Sequence, residues 1–251
     1  MKPIINKLRL GLLLASTIYL VTCKPDNKST KGNTNDKNSI AKGKSDNPPN
    51  IDSGRKQSTE IKLAPTQFNY TMNPGKSAGI INIFFTRAKL DSVYGKANVS
   101  NRLVQVDGKP MTVTVLFAGT TAEAEIVWSD TIYQKYPVRL RIKNENSIWK
   151  FSDGIKIGTS IEELVKLNAQ DIHLYGFGWE FGGLIADWRG GNLDKDYQAK
   201  VKTNIFLAQQ GKTSIDEATK KHIYTQQRLN SNDPTLKLLN LKVSIIDFFF
   251  M

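Results

Sequence analysis

The sequence contains very little cysteine and histidine, with one Cys and two His among 251 residues. A single Cys excludes an internal disulfide framework. So few thiols and imidazoles also argue against a zinc site built from the usual Cys and His ligands. We therefore expect no metal and no cofactor.

The positive charge is not concentrated in a nucleic-acid-binding stripe. The net charge is +12, of which residues 1–22 carry +3 and residues 24–58 carry +4, leaving +5 for residues 59–251. Nucleic-acid binding requires a dense basic surface, often interleaved with aromatic side chains. The weakly basic body of this chain lacks that pattern, and we expect no nucleic-acid partner.

The apolar run near the N-terminus is too short to cross a bilayer. Lys2, Lys7 and Arg9 precede the twelve uncharged residues 10–21, whereas a membrane-spanning helix needs about 20. A charged segment followed by a short apolar one is typical of a secretory signal peptide. The run could be an ordinary signal peptide that ends beside an incidental Cys, or it could be a short membrane anchor.

The end of this run, Leu20-Val21-Thr22-Cys23, resembles the lipobox of bacterial lipoprotein precursors. In that family cleavage precedes the Cys, whose sulfur is then lipidated; Thr22 stands where the family most often has Gly, Ala or Ser. The resemblance implies a signal peptide over 1–22 and a lipid anchor on Cys23. It implies attachment to the envelope of a Gram-negative-type bacterium, with the outer membrane as the expected site and its face left open.

The next segment, residues 23–58, is polar. It holds three apolar residues and no aromatic ones between residues 24 and 58. Such a composition cannot bury enough apolar surface to offset the entropy of ordering. We expect a tether with a reach of roughly 30–35 Å, followed by a globular domain over 59–251.

The globular part has the patterns of an α+β fold with antiparallel sheet and short helices. Thr86 and Gly95 bracket one predicted helix, and the capping box Ser160–Glu163, or Thr159–Glu162, begins a second. Alternation predicts the following strands: 103–106 and 111–117 as a hairpin, 124–128, 138–142, 172–175, 184–188, 201–207 at an edge, and 241–250 within the sheet. A helix after 213 is marginal, and a single turn follows Asp233-Pro234.

Charged residues alternate with apolar ones in two of these strands. Glu123 and Glu125 lie on one strand, and Arg139, Arg141 and Lys143 lie on the next. The basic stripe could bind an anion. If the strands pair, however, the opposite charges become cross-strand partners on the solvated face of a sheet, which is the interpretation we favour.

The stretches 66–150 and 151–251 each begin with a helix and continue into strands. They could be halves of a diverged tandem repeat. Alternatively, they are two unrelated units of the common helix-then-meander type that are similar by coincidence. The helix entered through Gly-Thr-Ser-x-x-Glu-Leu, residues 158–164, and its following meander resemble the small αβ units of the beta-lactamase inhibitory protein and of outer-membrane assembly lipoproteins of the SmpA/OmlA type. Those units bind other proteins without catalysis, and the resemblance implies that class of function.

The segment 175–183, Tyr-Gly-Phe-Gly-Trp-Glu-Phe-Gly-Gly, is the candidate binding site. An extended backbone would place Phe177, Trp179 and Phe181 on one side, with glycines that permit close approach. Burial would make the rings core filling, which is the favoured interpretation, whereas exposure would make an anchor for a protein or a sugar. The candidate surface comprises Phe177, Trp179, Glu180, Phe181 and Trp188.

Catalysis has weaker support in the sequence. Glu180 and Asp187 could converge as a carboxylate pair for glycoside hydrolysis, and His173 or His222 could act as a base if a carboxylate oriented it. Lone His residues are more often structural. The prediction is therefore a non-catalytic, membrane-anchored envelope lipoprotein that binds a protein partner. The alternatives are a carbohydrate or peptidoglycan binder and, third, an envelope hydrolase.

Overall fold

The computed structural model describes residues 65–106, 108–197, 203–212 and 214–251. The predicted signal peptide, Cys23 and the tether over 23–58 lie outside the described residues, as does the start of the predicted edge strand at 201–202. No helix in the described ranges is both long enough and apolar enough to span a bilayer.

The described helices are short, and side-chain caps begin several of them. They are α1 Arg87–Tyr94, α2 Ile161–Asn168, α3 Asp194–Tyr197, α4 Glu217–Thr225 and α5 Pro234–Lys237. Thr86 caps α1, and Ser160 with Glu163 forms the complete capping box of α2. These two helices confirm the sequence prediction. The marginal helix after 213 is a nine-residue helix capped by Asp216.

The strands form three sheets. They are β1 Thr71–Asn73, β2 Ser77–Ala78, β3 Val99–Val106, β4 Lys109–Leu116, β5 Ala124–Trp128, β6 Pro137–Ile142, β7 Lys150–Phe151, β8 His173–Tyr175, β9 Ile185–Asp187, β10 Thr203–Gln209, β11 Arg228–Asn230 and β12 Leu241–Phe249. The largest sheet has the order β10-β12-β6-β5-β4-β3, with antiparallel neighbours throughout. Two three-stranded sheets have the orders β2-β1-β7 and β11-β8-β9. The protein is thus an α+β fold.

The C-terminal strand β12 lies inside the largest sheet, between β10 and β6, as predicted. Most of its apolar side chains are buried, with Ile246 and Phe248 at 0 % exposure. An apolar strand of this length would be prone to aggregation if it were unpaired. Strand β10, in turn, is an edge strand of the same sheet, again as predicted.

The charged face of β5 and β6 is more buried and differently paired than predicted. Lys143 Nζ lies 2.6 Å from a carboxylate oxygen of Glu125, which confirms one cross-strand pair. Arg141, however, forms two hydrogen bonds of 2.7 Å to Asp247 of β12. The alternation of charged residues in the sequence could not predict this partner, because the Arg141–Asp247 pair forms only when β12 lies beside β6. Glu125 and Arg139 are buried, so the expected solvated face is wrong for these two, and their neighbour Asp247 is buried as well.

Phe117 departs from the predicted strand face. Val113 and Val115 pack with Val127 in a small cluster on one side of the sheet. The backbone of Phe117 has a φ of 50°, immediately after β4 ends. This turn sends the ring into the main core, where it contacts the rings of Tyr94 and Phe68.

The stretches 66–150 and 151–251 do not share one topology. After α1, strands β3 to β6 form a consecutive meander in the six-stranded sheet. After α2, strands β8 and β9 pair with β11 in a separate sheet, and β10 and β12 join the sheet of the first stretch. The two stretches are therefore joined through the β6–β12 pairing, and the structure does not show two copies of a single unit.

Candidate functional site

The segment 176–183 connects β8 to β9 and is folded into turns; we call it the aromatic turn. The backbone is therefore not extended, and the alignment that an extended backbone would give to its three rings does not arise. Hydrogen bonds from Gly182 N to Trp179 O, 2.9 Å, and from Gly183 N to Tyr175 O, 2.9 Å, close the segment on itself. Its rings point into different surroundings.

Glycines let the aromatic turn pack directly against the C-terminal end of α4. A Cβ on Gly176 would lie 1.9 Å from the carbonyl oxygen of Gln226, and one on Gly178 would lie 2.1 Å from that of Tyr224. Both distances are far inside van der Waals contact. Close backbone approach at these glycines, predicted from the sequence, is confirmed, and the approaching group belongs to the protein itself.

Hydrogen bonds also hold the turn to α4 and the residues that follow it. Phe177 N donates to Ile223 O at 3.0 Å and Gly176 N donates to Gln227 O at 3.1 Å. The indole Nε1 of Trp179 donates to Gln226 O at 3.0 Å. The carbonyls near a helix C-terminus have no partner within the helix, so the turn satisfies part of that end and fixes the Trp179 ring.

Large apolar side chains are exposed at this junction. Trp179 is 49 % exposed, Phe181 48 % and Tyr224 of α4 50 %. Predicted burial is therefore wrong for Trp179 and Phe181. The Phe181 ring lies 6.1 Å from that of Tyr175, and the Arg228 guanidinium lies 5.8 Å from the Tyr175 ring centroid. We call Trp179, Phe181 and Tyr224 the aromatic surface.

Two residues of the predicted surface face inward. Trp188 is 3 % exposed and packs on Tyr197, with ring centroids 5.5 Å apart. Its inclusion in a binding surface is wrong, because it lies just past the short strand β9 with its ring in the main core. Phe177 is partly buried and packs against the same core.

An apolar groove of about 380 Å³ adjoins the aromatic surface. Phe177 and Gly182 of the turn line one part of it, and Ile223 and Tyr224 of α4 line another. The rest is formed by the following residues of β10, β12 and the connecting segments: Phe206, Leu207, Ala208, Gln209, Ile215, Leu239, Ser244 and Ile245. Tyr224 thus belongs to both the groove and the aromatic surface.

The sequence missed Tyr224 and the groove because both depend on α4. The polar composition of residues 217–225 obscured that helix, yet Thr219 and Ile223, four residues apart, are its buried positions. This i, i+4 spacing is the signal that could have revealed its inner face.

The proposed carboxylate pair is divided between two environments. Glu180 is exposed at the aromatic turn. Asp187 of β9 accepts a 2.7 Å hydrogen bond from Arg189 N and lies 3.8 Å from His173 Nδ1. Asp187 is thus engaged by its own hairpin, and the structure gives no contact that joins it to Glu180.

Each His lies near a carboxylate, as a base would require. His222 Nε2 is 2.7 Å from Asp233 Oδ2, and Thr235 Oγ1 donates to Asp233 Oδ1 at 2.6 Å. Burial would raise the pKa of Asp233, but hydrogen bonds from Thr235 and His222 hold it below its ordinary value. The Thr235 hydroxyl thus contacts the Asp233 carboxylate and not the His222 imidazole. In a nucleophilic triad the imidazole must contact the hydroxyl, so this arrangement serves to join α4 to α5.

No metal-binding constellation is present among the described residues, which contain no group of three or more His, Cys, Asp and Glu side chains able to hold an ion. Comparison with known proteins gives no relative: no protein-family model, curated protein or solved structure matches the chain at a significant level. The functional argument therefore depends on the residues themselves.

Proposed function

We propose that this chain is a lipid-anchored lipoprotein of the bacterial envelope, attached to the outer membrane, and that its globular part binds another protein without catalysis. The lipobox-like Leu20-Val21-Thr22-Cys23 supports the anchor. The aromatic surface and its groove support the binding role.

The observation that carries the binding role is that Trp179 is half exposed yet fixed. Its indole donates to Gln226 O at 3.0 Å, and the adjacent Gly178 lies against the backbone of α4. A ring held in place loses little conformational entropy when a partner covers it. Trp and Tyr are also the residues that most often dominate the energetics of protein interfaces. The aromatic surface thus has the properties of a prepared anchor site.

The neighbouring groove favours a protein over a glycan. Its lining is largely aliphatic and aromatic, with Gln209 and Ser244 as polar members. A partner that inserts an apolar side chain there would bury hydrophobic area beside the exposed rings. A sugar stacks on an aromatic ring but also requires several polar groups for its hydroxyls. Glycan binding, for which the exposed Trp179 ring is the supporting feature, remains the second candidate.

Photocrosslinking in cells tests the binding role. Phe181→benzoylphenylalanine places a photoreactive group on the aromatic surface at a half-exposed aromatic position. Leu238→benzoylphenylalanine is the matched control, because Leu238 is 51 % exposed and lies at the end of α5. We expect one reproducible protein adduct from position 181, lost on addition of Trp179→Ala, and none from position 238.

Two results would contradict protein binding at this surface. Equal adducts from positions 181 and 238 would indicate nonspecific contact. No adduct from 181, with quenching of Trp fluorescence by peptidoglycan fragments that Trp179→Ala abolishes, would establish glycan binding instead.

The anchor has an independent test. Cells that express the wild-type chain and Cys23→Ser are labelled with radioactive palmitate, and the mature N-terminus is identified by mass spectrometry. We expect a lipid-modified N-terminal Cys23 in the wild type and no label in the variant. A wild-type protein that is cleaved elsewhere, or that carries no lipid, would refute the lipoprotein assignment while leaving the aromatic surface unaffected.

A further inference from the structure

A second set of exposed apolar side chains lies on two loops remote in sequence from the aromatic turn. Phe84 is 78 % exposed, Ile132 84 %, Tyr133 73 % and Tyr136 54 %. We call these four residues the loop patch. Each is more exposed than any member of the aromatic surface, so their apolar area has little packing against the rest of the described protein.

The two loops of the patch are hydrogen-bonded to each other. Arg87 N donates to Gln134 O at 2.9 Å, and Tyr136 N donates to Phe85 O at 3.3 Å. An isolated bridge also pairs Thr86 with Lys135. The segment that carries Phe84 and the β5–β6 loop therefore lie side by side.

The β5–β6 loop is held in a specific conformation. The carboxylate of Asp130 accepts hydrogen bonds from the backbone N–H groups of Ile132 at 3.0 Å, Tyr133 at 2.7 Å and Lys135 at 3.4 Å. Those bonds lower the pKa of Asp130. Gln134 and Tyr136 have positive φ values of 49° and 55°, which cost energy outside glycine. The loop thus presents its apolar side chains at an energetic cost.

The composition of the loop patch fits a bilayer surface. Tyr side chains are enriched where membranes meet water, and Lys can bury its alkyl chain while its ammonium stays at the headgroups. Lys135 Nζ lies 5.7 Å from the Tyr133 ring centroid. The Asp130 carboxylate already pairs three backbone N–H groups of the loop, so these groups need no water as partner when the loop enters the headgroup region.

The attachment of the chain brings this patch near a membrane, an argument that rests on the proposed lipid anchor. The 41 residues between Cys23 and Pro65 limit the separation to at most about 150 Å, even when fully extended. The described chain then enters β1, where Thr71 O accepts a 2.9 Å hydrogen bond from Gly79 N. Gly79 begins the loop that leads to Phe84. An anchored protein makes its second membrane contact intramolecularly, so a weak contact suffices.

We propose that Phe84, Ile132, Tyr133 and Tyr136 insert into the headgroup region of the phospholipid bilayer to which the chain is anchored, and so orient the globular part on that surface. The insertion is shallow, because two short loops supply it. It leaves the aromatic surface, which lies on other elements, as a separate site.

Spin-label depth measurements test this proposal with the full lipidated chain. If Cys23 is consumed by lipid, then Ile132→Cys supplies the one free thiol, at a side chain that is 84 % exposed and tolerant of change. The protein is reconstituted in vesicles of phosphatidylethanolamine with a minor fraction of phosphatidylglycerol. Leu103→Cys, 70 % exposed on β3, and Leu238→Cys, 51 % exposed, are the controls.

We expect the label at position 132 to gain accessibility to oxygen and lose accessibility to a water-soluble nickel chelate on these vesicles, while both control labels stay aqueous. Tyr133→Ser with Phe84→Ser should return the label at 132 towards water. A label at 132 that stays aqueous on lipidated, vesicle-bound protein would overturn the membrane contact and leave the proposed function intact. Immersion of all three labels would indicate general adsorption and overturn it too.

Two further outcomes also count against the proposal. A chain that acquires no lipid refutes the lipoprotein assignment and removes the premise of this inference. Spin–spin broadening at position 132 that grows with protein density, without a change in depth, would assign the patch to contact with a second copy of the chain.

Discussion

The six-stranded sheet and the aromatic turn reverse the usual distribution of polarity. In the sheet, Asp247 and Glu125 are 1 % and 4 % exposed, and Arg141 and Lys143 pair with them. At the turn, Trp179 and Phe181 are about half exposed. Disrupting buried, paired charges destabilises a fold strongly, whereas half-exposed aromatic rings contribute less to its stability. The comparison thus separates a region that determines stability from one available for binding.

The largest expected effect is on the sheet. Asp247→Asn removes the negative charge that accepts both hydrogen bonds from Arg141. Disruption of a buried ion pair costs about 3–5 kcal/mol. Urea unfolding should show a loss in that range, and Glu217→Gln, an exposed helix residue paired with Lys220, is the control. A loss below about 1 kcal/mol for Asp247→Asn would show that the pair is not structural.

The next effect joins the two regions. Gly178→Ala places a methyl group 2.1 Å from the Tyr224 carbonyl, so α4 or the turn must move. Overpacking of this kind costs about 1–3 kcal/mol, and the same movement should weaken the crosslink from position 181. The control is Gly190→Asn, because a Cβ there meets nothing within 4 Å and Asn tolerates its φ of 69°. Unchanged stability and crosslinking in Gly178→Ala would contradict the described packing.

A smaller effect is expected when the exposed indole is removed. Trp179→Ala removes one hydrogen bond and an indole that is only half buried, at 49 % exposure, for a cost of about 1–2 kcal/mol in the free energy of unfolding. Trp149→Ala empties a site of 0 % exposure and should cost about 3–5 kcal/mol. Chemical denaturation compares them, and equal losses would show that Trp179 is a core residue.

The smallest effect concerns pH at the α4–α5 junction. Because the folded-state pKa of Asp233 is lowered, its charge stabilises the fold above the unfolded-state pKa of about 3.9. That contribution is lost as pH falls through the lower, folded-state pKa. Asp233→Asn, which preserves an N-cap residue, should be less stable than the wild type by below about 1 kcal/mol at neutral pH. The difference should vanish in acid; a difference that persists there would assign the effect to something other than the charge.

Local signals in the sequence predicted most of the secondary structure. The capping box at Ser160 and the Thr86 cap depend on residues a few positions apart, and both helices begin as expected. The α+β class and the inserted strand β12 also followed, since an alternating or strongly apolar strand has few other stable placements.

Features that depend on distant contacts could not be predicted. Asp247 pairs with Arg141 across 106 positions because β12 lies next to β6. The exposure of Trp179 likewise depends on how α4 packs against the aromatic turn, and the burial of Trp188 depends on its packing against Tyr197. Glycine spacing indicated a close approach at Gly176 and Gly178, but the approaching group could be identified only from the structure.

The most direct test of the separation between stability and binding measures crosslinking and unfolding in the same two variants. With Phe181→benzoylphenylalanine in each background, Trp179→Ala should lose the adduct while it stays folded. Asp247→Asn should lose stability while its folded fraction keeps the adduct. The opposite pattern, in which Trp179→Ala retains the adduct and folded Asp247→Asn does not, would contradict the assignment of binding to the aromatic surface.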